Sequence, residues 1–190
     1  MSSVRQGRNE IGLALLHDDS LSIRLLFVED HEKLLHYLQG LSRETKSRFG
    51  PHAFDREAIS TIFAEKNDLH QAYIAIEKST ADIIAYALLR KGWLPYDKAR
   101  LSAYGLAEDP EHDCTFAPSV ADAWQGKGLG SAVFTFVLNE IRSAGIRRIL
   151  LWGGVQATNQ RACGFYQRHG FRELGRFEHH GENCDMCLEL

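Results

Sequence analysis

Three glycines at alternate positions, with a lysine between two of them, mark Gln125-Gly126-Lys127-Gly128-Leu129-Gly130 as a segment able to do chemistry. Glycine lets successive backbone N–H groups curl toward one anion with no Cβ in the way. An amphipathic stretch follows from Ser131, and a helix beginning there adds unpaired N–H groups and partial positive charge. The chemistry implied is capture of a phosphate-bearing ligand, with Lys127 as charge at the rim. Spacing narrows the ligand. The Walker pattern Gly-x-x-x-x-Gly-Lys-Ser/Thr is not met. The dinucleotide pattern Gly-x-Gly-x-x-Gly, started from Gly126 or Gly128, needs its last glycine where Ser131 or Val133 stands. What remains is Gln-x-x-Gly-x-Gly on Gln125, Gly128 and Gly130.

A second constellation lies in Asn159-Gln160-Arg161-Ala162-Cys163-Gly164-Phe165-Tyr166. On a helix, Asn159, Ala162, Cys163 and Tyr166 fall at i, i+3, i+4 and i+7 and share one face. An amide near the helix start and a phenol two turns later then line one groove, with small side chains between them. Taken alone, Tyr166 reads more readily as a packed core residue; Phe165 and Phe171 read as core.

Together these two motifs resemble the GNAT acetyltransferases. The likeness rests on strand, Gln-x-x-Gly-x-Gly, helix, strand, and Asn-x-x-Ala-x-x-Phe-Tyr-x-x-x-Gly-Phe. It is specific over Cys114 to Phe171 and extends more weakly, by strand order, from Ser22 to Leu190. The resemblance implies acetyl-coenzyme A as acyl-donor substrate, no metal, and acetyl transfer to an amine. It assigns the pyrophosphate to the backbone of Gln125, Gly126, Lys127, Gly128, Leu129 and Gly130, with Ser131 at the head of the helix. Pantetheine is expected beside Ser119 and Val120, the cofactor arm at Asn159, and the thioester sulfur at Tyr166.

The implied reaction is direct attack of a neutral amine on the acetyl carbonyl in a ternary complex. Backbone N–H groups near Ser119 and Val120 would meet the oxyanion, and Tyr166 would protonate the departing thiolate. The base is less determined. Many relatives carry a glutamate where this chain has Thr115, which is no useful proton acceptor. Asp113 lies two residues earlier and so on the same strand face; it is the expected base through a water chain, with Glu111 and His112 as alternatives. Pro118 is a further departure, since it lacks the N–H a strand would offer there. A non-catalytic acyl-coenzyme A-binding sensor is the alternative reading.

The elements that must position these groups follow from periodicity. Strands are expected at Ser22–Val28, Gln71–Glu77, Ala81–Leu89, up to Val120, Arg147–Trp152, Phe171–Glu178 and Cys184–Leu190. Helices are expected at His31–Leu41, through Ile59, Ile62 and Phe63, at Ser131–Ala144 and at Asn159–His169. Ser42–Phe54 reads as a loop or broken helix, and Trp93–Glu111 as a long connection. The fold class is α+β, a single domain over residues 21–190 after a loosely ordered extension over 1–20. A mixed, mostly antiparallel sheet of about seven strands is expected, with the fourth and fifth splayed at the cofactor. In the resembled family the loop between the first two helices and the connection before the fourth strand shape the acceptor pocket; here those are Ser42–Ala53 and Trp93–Glu111, which mix cations (Arg43, Lys46, Arg48, Lys98, Arg100) with Tyr96 and Tyr104.

A net charge of -3 offers no general attraction for nucleic acid or anionic lipid, so neither is an expected partner. The partners expected are the thioester and an amine, with homodimerisation left open. Four scattered cysteines and an amino terminus without a secretory pattern point to a reducing cytoplasm. Cys184-Asp185-Met186-Cys187 is formally C-x-x-C, but it sits in an alternating, strand-like stretch and reads as ordinary strand cysteines.

Overall fold

The computed structural model describes residues 19–64 and 69–190. Most of the extension expected over residues 1–20 therefore lies outside the described residues. The chain divides into two compact units, residues 1–88 with 118–140 and residues 89–117 with 141–190.

In the first unit, strand β1 (Leu21–Leu25) pairs antiparallel with β2 (His70–Glu77), from Leu21 opposite Glu77 to Leu25 opposite Tyr73. The next strand in hydrogen-bonded order is β3 (Asp82–Lys91), and β4 (Asp113–Val120) follows it. Ile74, Ala75, Tyr86 and Leu88 are fully buried, as continuous apolar runs in central strands require. Helix α1 (His31–Gly40) buries Leu34, Tyr37 and Leu38, the i, i+3, i+4 stripe that makes a helix dock on one face. Asp30, the residue before it, accepts two hydrogen bonds from Arg24 of β1 at 2.6 and 2.8 Å. Two short helices follow, α2 (Arg43–Arg48) capped by Ser42 and α3 (Arg56–Ile62) capped by Asp55. Helix α5 (Leu129–Ser143) begins in this unit and buries Leu129, Val133, Phe134 and Val137.

The second unit holds α4 (Lys98–Ala103) and α6 (Gln160–Arg168). Here β4 pairs parallel with β5 (Arg148–Leu151), and β5 pairs antiparallel with β8 (Glu182–Glu189). Both β6 (Val155–Gln156) and β7 (Arg172–Glu178) also pair antiparallel with β8. Pairing of β5 with β4 stops at Phe116 opposite Leu151, although β4 continues to Val120. Trp93, Leu101, Leu150 and Cys187 form a local core, against which Tyr104, Leu106 and Leu174 pack. At Gly154 the backbone comes so close that a Cβ would lie 2.8 Å from the Cys184 carbonyl and 2.9 Å from the Phe177 ring. Only glycine fits there, at a φ of +74°.

The α+β class and the mixed sheet agree with the sequence, with three additions. Among the described residues there are eight strands rather than about seven, because the two-residue β6 is too short to show alternation. Helix α2 lies in the stretch read as loop or broken helix. Helix α4 lies in the stretch read as a connection, where it buries only Leu101 and so leaves no periodic stripe. Among the described residues, no helix is long and apolar enough to cross a membrane.

Candidate functional site

Beyond β4 the chain makes one short 3-10 turn (Asp122–Trp124) and then a turn over residues 125–128 that leads directly into α5. Gly126 and Gly128 have φ of +76° and +90°, the left-handed region closed to most side chains. Nothing lies within 4 Å of a Cβ placed on Gly126, so the residue leaves open space over the turn. The cap bonds at the head of α5 run from Ser131 N and Ala132 N to the Gly128 carbonyl, at 3.0 and 3.1 Å. Leu129 is fully buried and anchors the helix start. Lys127 is exposed, its ammonium 5.7 Å above the Trp124 ring. Left-handed glycines, open space and a helix amino terminus are together the geometry that suits a pyrophosphate.

The side chain of Gln125 points back from this turn. Its Nε2 donates to the Val120 carbonyl and to Thr45 Oγ1, each at 3.1 Å. Ser119, buried on β4, lies 3.0 Å from the Tyr37 hydroxyl. Ser119, Val120 and residues 125–131 thus fall together in the first unit.

Asp113, Asn159 and Tyr166 belong to the second unit. Asp113 is 1% exposed. Three donors converge on its Oδ2: Trp93 Nε1 at 2.7 Å, the Asp109 N–H at 2.9 Å and Arg148 Nη1 at 3.3 Å. Burial nevertheless pushes this carboxyl above its ordinary value, against the hydrogen bonds and the Arg148 charge that lower it. Thr115, on the same strand, turns its hydroxyl to the Gly92 carbonyl at 2.8 Å. Of the alternatives, His112 lies 2.9 Å from the Asp109 carboxylate, and Glu111 is exposed.

Asn159 caps α6, its Oδ1 accepting from Ala162 N at 3.2 Å, which leaves the amide NH2 as the group to donate to a ligand. Tyr166 lies edge-on between Phe165 and Phe171, each ring centroid 5.2 Å away. Burial drives its phenol far above the usual tyrosine range, so it keeps its proton at any working pH. Cys184 and Cys187 stand three apart on β8, and side chains at odd separation leave opposite faces of a strand.

Two polar groups have partners that no adjacent residue announces. In the first unit His52 Nδ1 is 2.7 Å from the Ala53 carbonyl; a carbonyl only accepts, so Nδ1 carries the proton and Nε2 presents its lone pair to the Tyr86 hydroxyl, 3.2 Å away. Burial pushes this imidazole below its ordinary value, against the Ala53 carbonyl and the Asp55 charge. In the second unit Arg100 bonds both Asp185, at 2.5 and 3.0 Å, and Asp97, at 2.7 Å, while its guanidinium stacks 3.6 Å over Phe177.

Among solved structures, the chain is similar to the GNAT domain of an S. lividans PAT, with 20% identity and a TM-score of 0.68 over 88% of this chain and 89% of that one. It is also similar to a ribosomal-protein-S5-alanine acetyltransferase from Vibrio fischeri, at 15% identity and a TM-score of 0.68 over 90% of this chain and 93% of that one. A third is the aminoglycoside acetyltransferase AAC(6')-Ib in complex with coenzyme A, at 20% identity and a TM-score of 0.65 over 90% and 95%. At these identities the likeness is one of fold. No curated protein matches the sequence. The model of the acetyltransferase (GNAT) family matches residues 35–171, which takes in the glycine turn, Asn159 and Tyr166. With well over half of its length in that match, the chain belongs to the GNAT acetyltransferase family.

Proposed function

We propose that this protein moves the acetyl group of acetyl-coenzyme A to a primary amine, of a small molecule or of a peptide, by direct attack in a ternary complex. The observation that carries the reading is the turn at residues 125–130, whose left-handed Gly126 and Gly128 open onto the head of α5. Backbone N–H groups there take the pyrophosphate, with Lys127 at the rim. Ser119 and Val120 serve the pantetheine and the oxyanion, and the Asn159 amide donates to the cofactor arm. As the amine nitrogen bonds to the acetyl carbon and the carbon–sulfur bond breaks, Tyr166 donates its proton to the thiolate, and the proton the nitrogen then sheds in becoming an amide restores the phenol. Asp113 accepts the ammonium proton through water. A panel of primary amines with acetyl-coenzyme A, read by thiol release, tests this. Turnover on at least one amine is expected. Tight binding of acetyl-coenzyme A with no turnover across the panel would instead identify an acyl-coenzyme A sensor, the reading that Thr115 favours.

The base has its own test. Because burial raises the Asp113 pKa, the acid limb of kcat/KM should lie above the ordinary carboxylate value of about 4. Activity falls as pH drops through that limb, since the protonated carboxyl accepts nothing. In Asp113→Asn the limb should vanish along with most of the rate. A limb that persists in Asp113→Asn and disappears in His52→Gln would move the role to the imidazole.

A further inference from the structure

Helix α2 and the turn after β4 meet at one carboxylate in the first unit. Asp122 Oδ2 accepts from the Ser42 N–H at 2.9 Å. Its Oδ1 accepts from the hydroxyls of Ser42 at 2.7 Å and Thr45 at 2.6 Å. A carboxylate can only accept, so the direction of every bond behind it is fixed. The Thr45 hydroxyl proton goes to Asp122, and its oxygen is left to receive Gln125 Nε2 at 3.1 Å. Gln125 also holds the Val120 carbonyl with the same amide. The result is a directed chain from Gln125 through Thr45 to Asp122, with Ser42 closing it from the other side. Burial alone would raise the Asp122 pKa, yet hydrogen bonds from Thr45 and Ser42 keep it below the usual carboxylate range. The carboxylate therefore stays charged and the chain stays assembled at neutral pH. Chains of this sort strengthen cooperatively, so ordering one end favours the other.

The two ends have different duties under the proposed function, on which this inference rests. Gln125 is the first residue of the phosphate turn. Ser42 and Thr45 begin the stretch expected to shape the acceptor pocket. We propose that Asp122 and Thr45 are positioning residues that couple coenzyme A binding at residues 125–130 to the ordering of residues 42–54. A ligand that fixes the turn fixes Gln125, and the hydroxyl of Thr45 passes that constraint to α2. The coupling works through a differential population of the assembled chain, and couplings of this kind typically span about 5- to 150-fold.

Hydrogen exchange with coenzyme A as the probe tests this without an identified acceptor. In the wild-type protein, coenzyme A is expected to slow exchange in peptides covering residues 121–131 and, by about tenfold, in those covering residues 42–54. Thr45→Val keeps the side-chain shape and removes the hydroxyl's bonds to Asp122, Gln125 and Ser42. In that variant protection of residues 121–131 should remain while the effect on residues 42–54 disappears, and Thr45→Ser should restore it. Asp122→Asn is a second variant, expected to weaken the effect in the same direction. Protection of residues 121–131 alone in the wild type would overturn the coupling and leave the coenzyme A site standing. Undiminished protection of residues 42–54 in Thr45→Val would overturn the role of the hydroxyl. Failure of coenzyme A to protect residues 121–131 at all would overturn the cofactor reading and the coupling with it.

Discussion

Tyr166→Phe is expected to lower kcat by about 10²–10⁴-fold, the usual contribution of a positioned acid, with the Kd for acetyl-coenzyme A unchanged. The substitution is clean because of how the ring is held. Phe165 and Phe171 both contact the ring edge-on, so phenylalanine keeps the packing and loses only the hydroxyl. The tyrosine is buried, and burial keeps its phenol protonated. The same lack of water would disfavour a bare thiolate beside it, so a departing sulfur would need a hydrogen-bond donor there. Steady-state kinetics beside isothermal titration separates the outcomes. Wild-type turnover would remove Tyr166 from the mechanism. Parallel losses of binding, turnover and thermal stability would make it a packing residue.

The helix that carries Tyr166 is legible in the sequence because its residues obey a local rule. Asn159 and Tyr166 sit on one helix face by 3.6-residue periodicity, and Asn159 as a cap is a familiar start signal. The glycine turn was legible for a similar reason: Gly126 and Gly128 occupy conformations that few other residues tolerate. What stayed hidden has no period. Arg100 meets Asp185 across 85 positions of chain, Asp122 meets Ser42 across 80, and His52 meets Tyr86 across 34. Such pairs are set by how strands stack, and nothing in the adjacent residues announces them. The short helices were hidden by their surfaces. Helix α2 buries no residue and α4 buries only Leu101, so neither writes a hydrophobic stripe into the sequence. Thr115 shows the limit of reading by resemblance. Its type excluded a base at that position, yet only the structure gives it a duty, the bond to the Gly92 carbonyl.

Arg100→Ala is expected to cost about 3–5 kcal/mol of stability at neutral pH, the range for removing one partner of a buried ion pair. The side chains of Asp97 and Asp185 are only 4% and 3% exposed, so neither carboxylate can turn to water once the guanidinium is gone. The stacking of Arg100 on Phe177 is lost as well. The dependence on pH distinguishes charge from packing. In the wild type, burial already raises the Asp97 pKa, and Arg100 is the main influence lowering it. A raised pKa means that the folded state holds the proton more tightly than the unfolded one. That contribution to stability is full below the unfolded value of about 4 and is lost as pH rises through the folded value. Removing Arg100 raises the Asp97 pKa further, so the variant suffers most where the carboxyl must be charged. Urea midpoints measured from pH 7 down to about 4.5 should therefore show the gap between variant and wild type closing on acidification. A gap that stays constant across that range would assign the loss to the contact with Phe177, and Arg100 would then act as a packing residue rather than as the counter-charge of two buried carboxylates.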